Sequence, residues 1–361
     1  TQSAYLGGAR LEFLTSDSFL VALVGAIGGI ALGLAARLGR FCTLGAIEDA
    51  LYGGSSERLR MWFFAIGVAV LGTFTLIGFG LLDPMESHYL SSQFSAVASI
   101  LGGLTFGYGM ALAGNCGFGA IARLGGGDLR SFVIVLVMGV SSFAAISGPF
   151  AAIRVWAFPV DQVTDTPAGI AHGLSTITNI SPTLIGLAIG ASICAAALWR
   201  GPLLQAPKSV LWSTIVGLAI VSAWAGTSYV ANTGFEGTSV TSHTFSAPIG
   251  ETILFAMLSS GLGLSFGVGS VAGVWLGAFI GSLIKGHFRW EACEDPRELR
   301  RQIFGAILMG FGAVVATGCT IGQGISAFSL LSYSAPVTLA AIFLGCAIGL
   351  KQLITGFRLA A

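Results

Sequence analysis

Three of the six cysteines head the same short pattern: Cys42-Thr-Leu-Gly45, Cys116-Gly-Phe-Gly119 and Cys319-Thr-Ile-Gly322. Each copy lies at or just after the end of a long apolar stretch, and each is followed by Ala-Ile (46–47, 120–121) or Gln-Gly-Ile (323–325). A neutral thiol is a weak donor and its sulfur a weak, soft acceptor. Three in series suit a ligand that carries charge on a terminal sulfur: thiosulfate first, then related reduced sulfur or selenium species. An apolar setting favours the neutral thiol, which avoids a negative charge that would repel an anion. No Lys or His adjoins any of the three, so thiolate attack has no local base; a persulfide relay stands as the covalent rival. The neighbouring Gly45, Asn115, Gly117, Gly119, Thr320, Gly322 and Gln323 complete the candidate path. If the motifs open short helices, first-turn N–H groups and the helix dipole face the ligand, and the glycines let it approach the backbone.

The other reactive residues read more plainly. Cys194 and Cys346 sit in unbroken apolar runs and are expected to be small packing residues, and Cys293, in Trp-Glu-Ala-Cys-Glu-Asp-Pro, is incidental to a charged loop. Glu48 and Asp49 either reach the membrane interface beside Arg58 and Arg60 or form a proton-coupling pair. His243 is expected on the surface of an outer loop. The four histidines are scattered and no CxxC occurs, so no metal site or cofactor is expected. No ATP-binding P-loop is present either.

Those motifs must be held by helices in lipid. Only 9% of the 361 residues are charged and 54% are hydrophobic, and 53 are glycine, whereas a soluble domain carries about 25% charged residues. A net charge of +1 without a basic run excludes a nucleic-acid partner. The first apolar stretch reads as a span, with no signal peptide before it. At about 20 apolar residues per crossing, spans fall near 18–36, 61–82, 94–114, 131–153, 182–199, 209–230, 249–268, 300–317 and 336–355. The fold expected is thus an all-α integral membrane protein of about nine transmembrane helices. The cysteine segments at 41–52, 115–127 and 318–331 are too short to cross and too apolar for loops, which predicts re-entrant helices. A fourth re-entrant candidate is 272–284, where Val274 stands in place of a cysteine, and the stretch 249–285 is long enough for a span plus a half-span.

The chain reads as one polytopic domain over 1–361. A repeat-like half at 18–153 and another at 249–355 flank connecting spans and loops at 154–248. The likeness of 94–121 to 301–325 carries this pseudo-symmetry. Lys and Arg concentrate in alternate loops, which puts the N-terminus outside and the C-terminus inside. Cys116 is then approached from the inner ends of its flanking spans and Cys319 from the outer ends.

The three motifs in register resemble the YeeE/YedE family of bacterial inner-membrane sulfur-compound transporters, as do Ser242–Gly250 and Gly281–Trp290. The likeness extends from about residue 20 to 355. It implies nine spans with re-entrant helices and an hourglass shape. It also implies thiosulfate uptake past Cys42, Cys116 and Cys319, without enzymatic activity, and a TusA-like sulfur carrier on the cytoplasmic side. Localisation would be the inner membrane, with a periplasmic N-terminus. Some members are linked to selenium, and a membrane sulfurtransferase or a structural subunit of a membrane complex remain the alternatives.

Overall fold

The computed structural model describes residues 16–159, 166–199, 201–292 and 295–356. Among them all regular structure is helical apart from two isolated bridges, Asp128–Glu291 and Gly169–Ser332. In chain order the main helices are α1 (Asp17–Leu38), α2 (Thr43–Leu51), α3 (Glu57–Gly78), α4 (Ala96–Ala113), α5 (Gly117–Gly125) and α6 (Leu129–Ile146). After them come α7 (Pro182–Leu198), α8 (Pro207–Thr233), α9 (Ala247–Leu258), α10 (Phe266–Ile284), α11 (Pro296–Val315) and α12 (Ser334–Thr355). Among the described residues seven stretches are long and apolar enough to cross a membrane, while α7 and α9 are shorter apolar helices. The starts are written in the sequence. Ser16, Ser95, Ser181 and Ser265 each accept a first-turn N–H, as do Asp128 and Asp295, and this satisfies donors that the helix itself leaves open.

Glycine sets how closely the helices approach. Gly25, Gly29 and Gly33 of α1 face Gly269, Gly273 and Gly277 of α10. A Cβ added at any of the six would strike a backbone carbonyl of the opposite helix. Gly102 and Gly109 of α4 meet Gly305 and Gly312 of α11 in the same way. In lipid, where apolar surface gains little by leaving the solvent, such backbone-to-backbone dispersion contact is the main source of helix association. The outward faces are apolar and exposed, as at Ile27, Val140, Leu184, Leu218 and Leu344, which suits contact with acyl chains.

One sequence expectation is reversed. The stretch 249–285 holds one helix long and apolar enough to cross and one shorter apolar helix, but the shorter one comes first. α9 has twelve residues and ends at Leu258, and the full-length helix is α10, so 272–284 is not a re-entrant segment. Pro248, Gly250 and Glu251 are buried or half-buried at one end of α9, and the break at 259–265 is glycine-rich, so hydropathy alone misjudged which piece is whole. The long connection after α6 contains helices at Ala151–Ala157 and Ile170–Thr178, the second tied to Leu331 through the Ile170 N–H (2.8 Å).

Candidate functional site

The three motifs share a structural device that their sequences do not display. Two residues before each cysteine the backbone turns left-handed: Arg40 at φ 57°, Gly114 at 76° and Thr317 at 55°. This turn ends the preceding long helix and aims the cysteine at the next helical axis. The cysteine is then the N-cap. The carbonyls of Cys42, Cys116 and Cys319 accept from Ala46 (3.0 Å), Ala120 (2.8 Å) and Gln323 (2.8 Å). At an N-cap the side chain commonly accepts from the amide three residues on, and in Cys-x-x-Gly that residue is the glycine. Cys116 Sγ accepts from Gly119 N at 3.4 Å and Cys319 Sγ from Gly322 N at 3.5 Å. Cys42 makes no such bond, which leaves its sulfur uncommitted.

Cys319 also accepts from the Phe245 N–H (3.4 Å) and faces Thr244 Oγ1 (3.7 Å). Both belong to the irregular segment Ser242–Ser246, which runs into the protein between α8 and α9. Phe245 packs at a tilt on Phe118, two residues after Cys116, with ring centroids 5.3 Å apart, so that segment joins two of the thiol-capped helices. Past Cys319 the helix widens into a π-helical stretch, Gly322–Ala327, a form frequent at functional sites.

Two cavities approach the thiols. One, of about 650 Å³, opens at the C-terminal ends of α1 and α10 and is lined by Cys42, Gly45, Asn115 and Gly119 together with several cations. The other, of about 590 Å³, opens at the C-terminal ends of α8 and α11 and reaches Thr244, Thr317 and Gly318. Cys116 and Cys319 are 0% and 1% exposed, so neither sulfur is open to either cavity. Buried polar atoms beside the thiols lack partners: Thr43 Oγ1, Asn115 Oδ1 and Thr320 Oγ1. Unsatisfied buried polar atoms cost about 1–3 kcal/mol each, a cost that a polar ligand at these positions would relieve. At the basic mouth, burial and the neighbouring Arg40 and Arg37 hold the Lys285 ammonium below its ordinary value.

The remaining candidates are divided by their contacts. Gln323 is fully engaged: its Nε2 donates to Ala316 O (3.0 Å), Thr317 O (3.2 Å) and Thr317 Oγ1 (2.9 Å), while Oε1 accepts from Ser334 (3.1 Å). It holds the third break in shape. Gly117 lies under the Met138 thioether and Gly322 under Thr244 and Tyr89. Asp49 forms an ion pair with Arg58 (3.1 Å), Arg60 binds carbonyls at the end of α7, and Glu48 lines the 650 Å³ cavity. Cys194 packs against α3 near Phe64, and Cys346 is fully buried within electrostatic range of Cys42 and Cys116. Cys293 lies outside the described residues.

His243 contradicts the expectation of an exposed loop histidine. It is 0% exposed, with Nδ1 bonded to Ser270 Oγ at 2.6 Å, and it packs directly on Gly28 of α1. The segment around it carries Ser, Thr and His, which reads as a surface loop, yet Ser242 Oγ donates to Ile220 O, His243 Nδ1 pairs with Ser270, and the His243 carbonyl accepts from Ser326, while His243 Nε2 is buried without a partner. Thr244, Phe245 and Tyr89 were missed for the same reason. The only sequence signal toward the segment is that it forms part of the family likeness.

Apolar helices long enough to cross a membrane, interrupted by three thiol-capped breaks and approached by two cavities, have the architecture of a membrane transport protein. The chain belongs to the sulphur transport family, whose pattern matches residues 38–348. It is 26% identical over 352 residues to a protein of Escherichia coli strain K12 named thiosulfate transporter TsuA, covering 91% of this chain and 93% of that one. A protein of the same name from Spirochaeta thermophila is 25% identical over 332 residues, covering 88% and 94%.

Proposed function

We propose that this protein imports thiosulfate, passing the anion along Cys42, Cys116 and Cys319. The observation that carries the reading is the placement of all three sulfurs at helix N-caps, with Cys42 on one cavity, Cys319 beside Thr244 of the other, and unpartnered polar atoms next to them. First-turn amides supply partial positive charge, and neutral S–H groups meet the terminal sulfur of the anion without a full countercharge that would trap it. Nine crossings are counted here as α1, α3, α4, α6, α7, α8, α10, α11 and α12, with α2, α5, α9 and the π-helical stretch as re-entrant pieces. The basic mouth would face the cytoplasm, the N-terminus the periplasm, and the membrane would be a bacterial inner membrane. A TusA-like carrier would receive sulfur at the basic mouth.

The test is uptake of labelled thiosulfate by cells lacking their own importer. Cys116→Ala is expected to lower uptake at least about tenfold, the loss of one transition-state contact of roughly 1.4 kcal/mol. Cys116→Ser, which keeps the N-cap, is expected to fold normally and fall between. Uptake unchanged in Cys116→Ala would remove the thiol path. A persistent persulfide on Cys42, Cys116 or Cys319 after exposure to substrate would favour the covalent relay instead.

A further inference from the structure

The 650 Å³ cavity at the basic mouth holds more charge than a passage for a released ion needs. Arg37, Arg40, Arg58, Arg123 and Lys285 line it, against the single lining carboxylate of Glu48. Internal partners take up little of this charge. Arg37 and Lys285 spend hydrogen bonds on neutral oxygens, Ser282 Oγ at 2.7 Å and the Arg37 carbonyl at 2.6 Å. Arg58 is matched by Asp49, while Arg40 and Arg123 make no ion pair among the described residues. Topology accounts for cations at helix ends, but not for their closing around one cavity.

A separate observation points to a ligand there. Asn115 is 1% exposed, lines this cavity and has an amide oxygen without a partner. Rotating the amide by half a turn exchanges that oxygen for an NH₂ group, a pair of donors. Gly45 and Gly119, each in the first turn of a nine-residue helix, also line the cavity and bring α2 and α5 to it by their amide ends.

We infer that this cavity is a second anion site, which takes small divalent oxyanions by charge and amide donors and does not distinguish thiosulfate from sulfate. Its use as a receiving basin behind the thiols rests on the proposed transport function; its existence does not. The site explains why selection for sulfur must be made at the buried thiols, where no cation lines the path. It also gives the basic mouth a defined chemistry: a dianion reaching Cys42 is held beside Arg58, whose guanidinium packs over Gly45.

Cys42 reports on the site because its sulfur is uncommitted and faces the cavity. The full-length protein in detergent is treated with an anionic (sulfonatoethyl) or a cationic (trimethylammonioethyl) methanethiosulfonate, and modification of the Cys42 peptide is timed by mass spectrometry. The anionic reagent is expected to react about tenfold faster at low salt, a preference lost by ~1 M salt. Sulfate and thiosulfate should slow it equally, and more than chloride at the same ionic strength. Arg123→Gln should cut the preference severalfold, and Arg40→Gln, at an exposed position, provides a second variant if the first folds poorly. Equal rates for the two reagents, no reaction at Cys42, or no protection by sulfate would overturn the inference. Those results would leave the uptake loss in Cys116→Ala untouched, so the two readings fail separately.

Discussion

At the scale of single residues, the Cys-x-x-Gly spacing is the distance from an N-cap to the third amide of its helix. That explains why two of the three glycines donate to their cysteine. The motif was legible because it repeats. What it could not reveal is the left-handed residue two places earlier, since Arg40, Gly114 and Thr317 share no chemistry and only the glycine favours that conformation. Arg40→Gly is therefore expected to raise the melting temperature in detergent, relieving roughly 1 kcal/mol of backbone strain, while lowering the anion preference at Cys42. A lower melting temperature would show that the arginine side chain contributes more than its backbone costs. Cys346 makes the complementary case. It is buried near the path but caps no helix, so Cys346→Ala should retain uptake, with a stability loss of about 1 kcal/mol for a small buried group. A tenfold loss of uptake would promote it to a fourth thiol of the path.

At the scale of helices, long apolar runs located α1, α3, α4, α6, α8 and α12, and serine or aspartate caps marked several starts. Hydropathy failed where length and burial separate. α9 and α10 are both apolar, but only α10 runs unbroken, because three glycines let it lie against α1. The irregular stretch at Ser242–Ser246 was hidden for the opposite reason: polar groups read as solvent-facing are buried, and Ser242 Oγ, His243 Nδ1 and the His243 carbonyl find partners inside the protein. The glycine seam gives a sharp prediction. Gly273→Leu places a branched side chain against the Ala26 carbonyl, so it should destabilise by about 3 kcal/mol or more. Little folded protein should then be recovered by size-exclusion chromatography, whereas a monodisperse peak of normal yield would mean the seam is looser than the structure has it.

At the scale of the whole molecule, the proposed path joins a cavity lined by five cations to a mostly apolar one through buried thiols. Moving one charge against the membrane potential costs ~2.3 kcal/mol per 100 mV, so a dianion faces about twice that on its way inward. In the proposed orientation a cationic basin on the far side would lower the last part of this barrier, although a fixed charge cannot by itself drive net accumulation. The burial of the thiols also means that transit needs local rearrangement, and the π-helical stretch beside Cys319 lies where a small register change would move that thiol. The central claim is that thiosulfate crosses by way of the thiols, and reconstituted vesicles isolate it from cellular sulfur metabolism. Purified protein in liposomes, with the potential clamped, is given labelled thiosulfate outside. Wild type should load the vesicles well above the protein-free rate, and Cys116→Ala, of equal stability and orientation, should load them at least about tenfold more slowly. Equal loading by the two proteins would contradict the account.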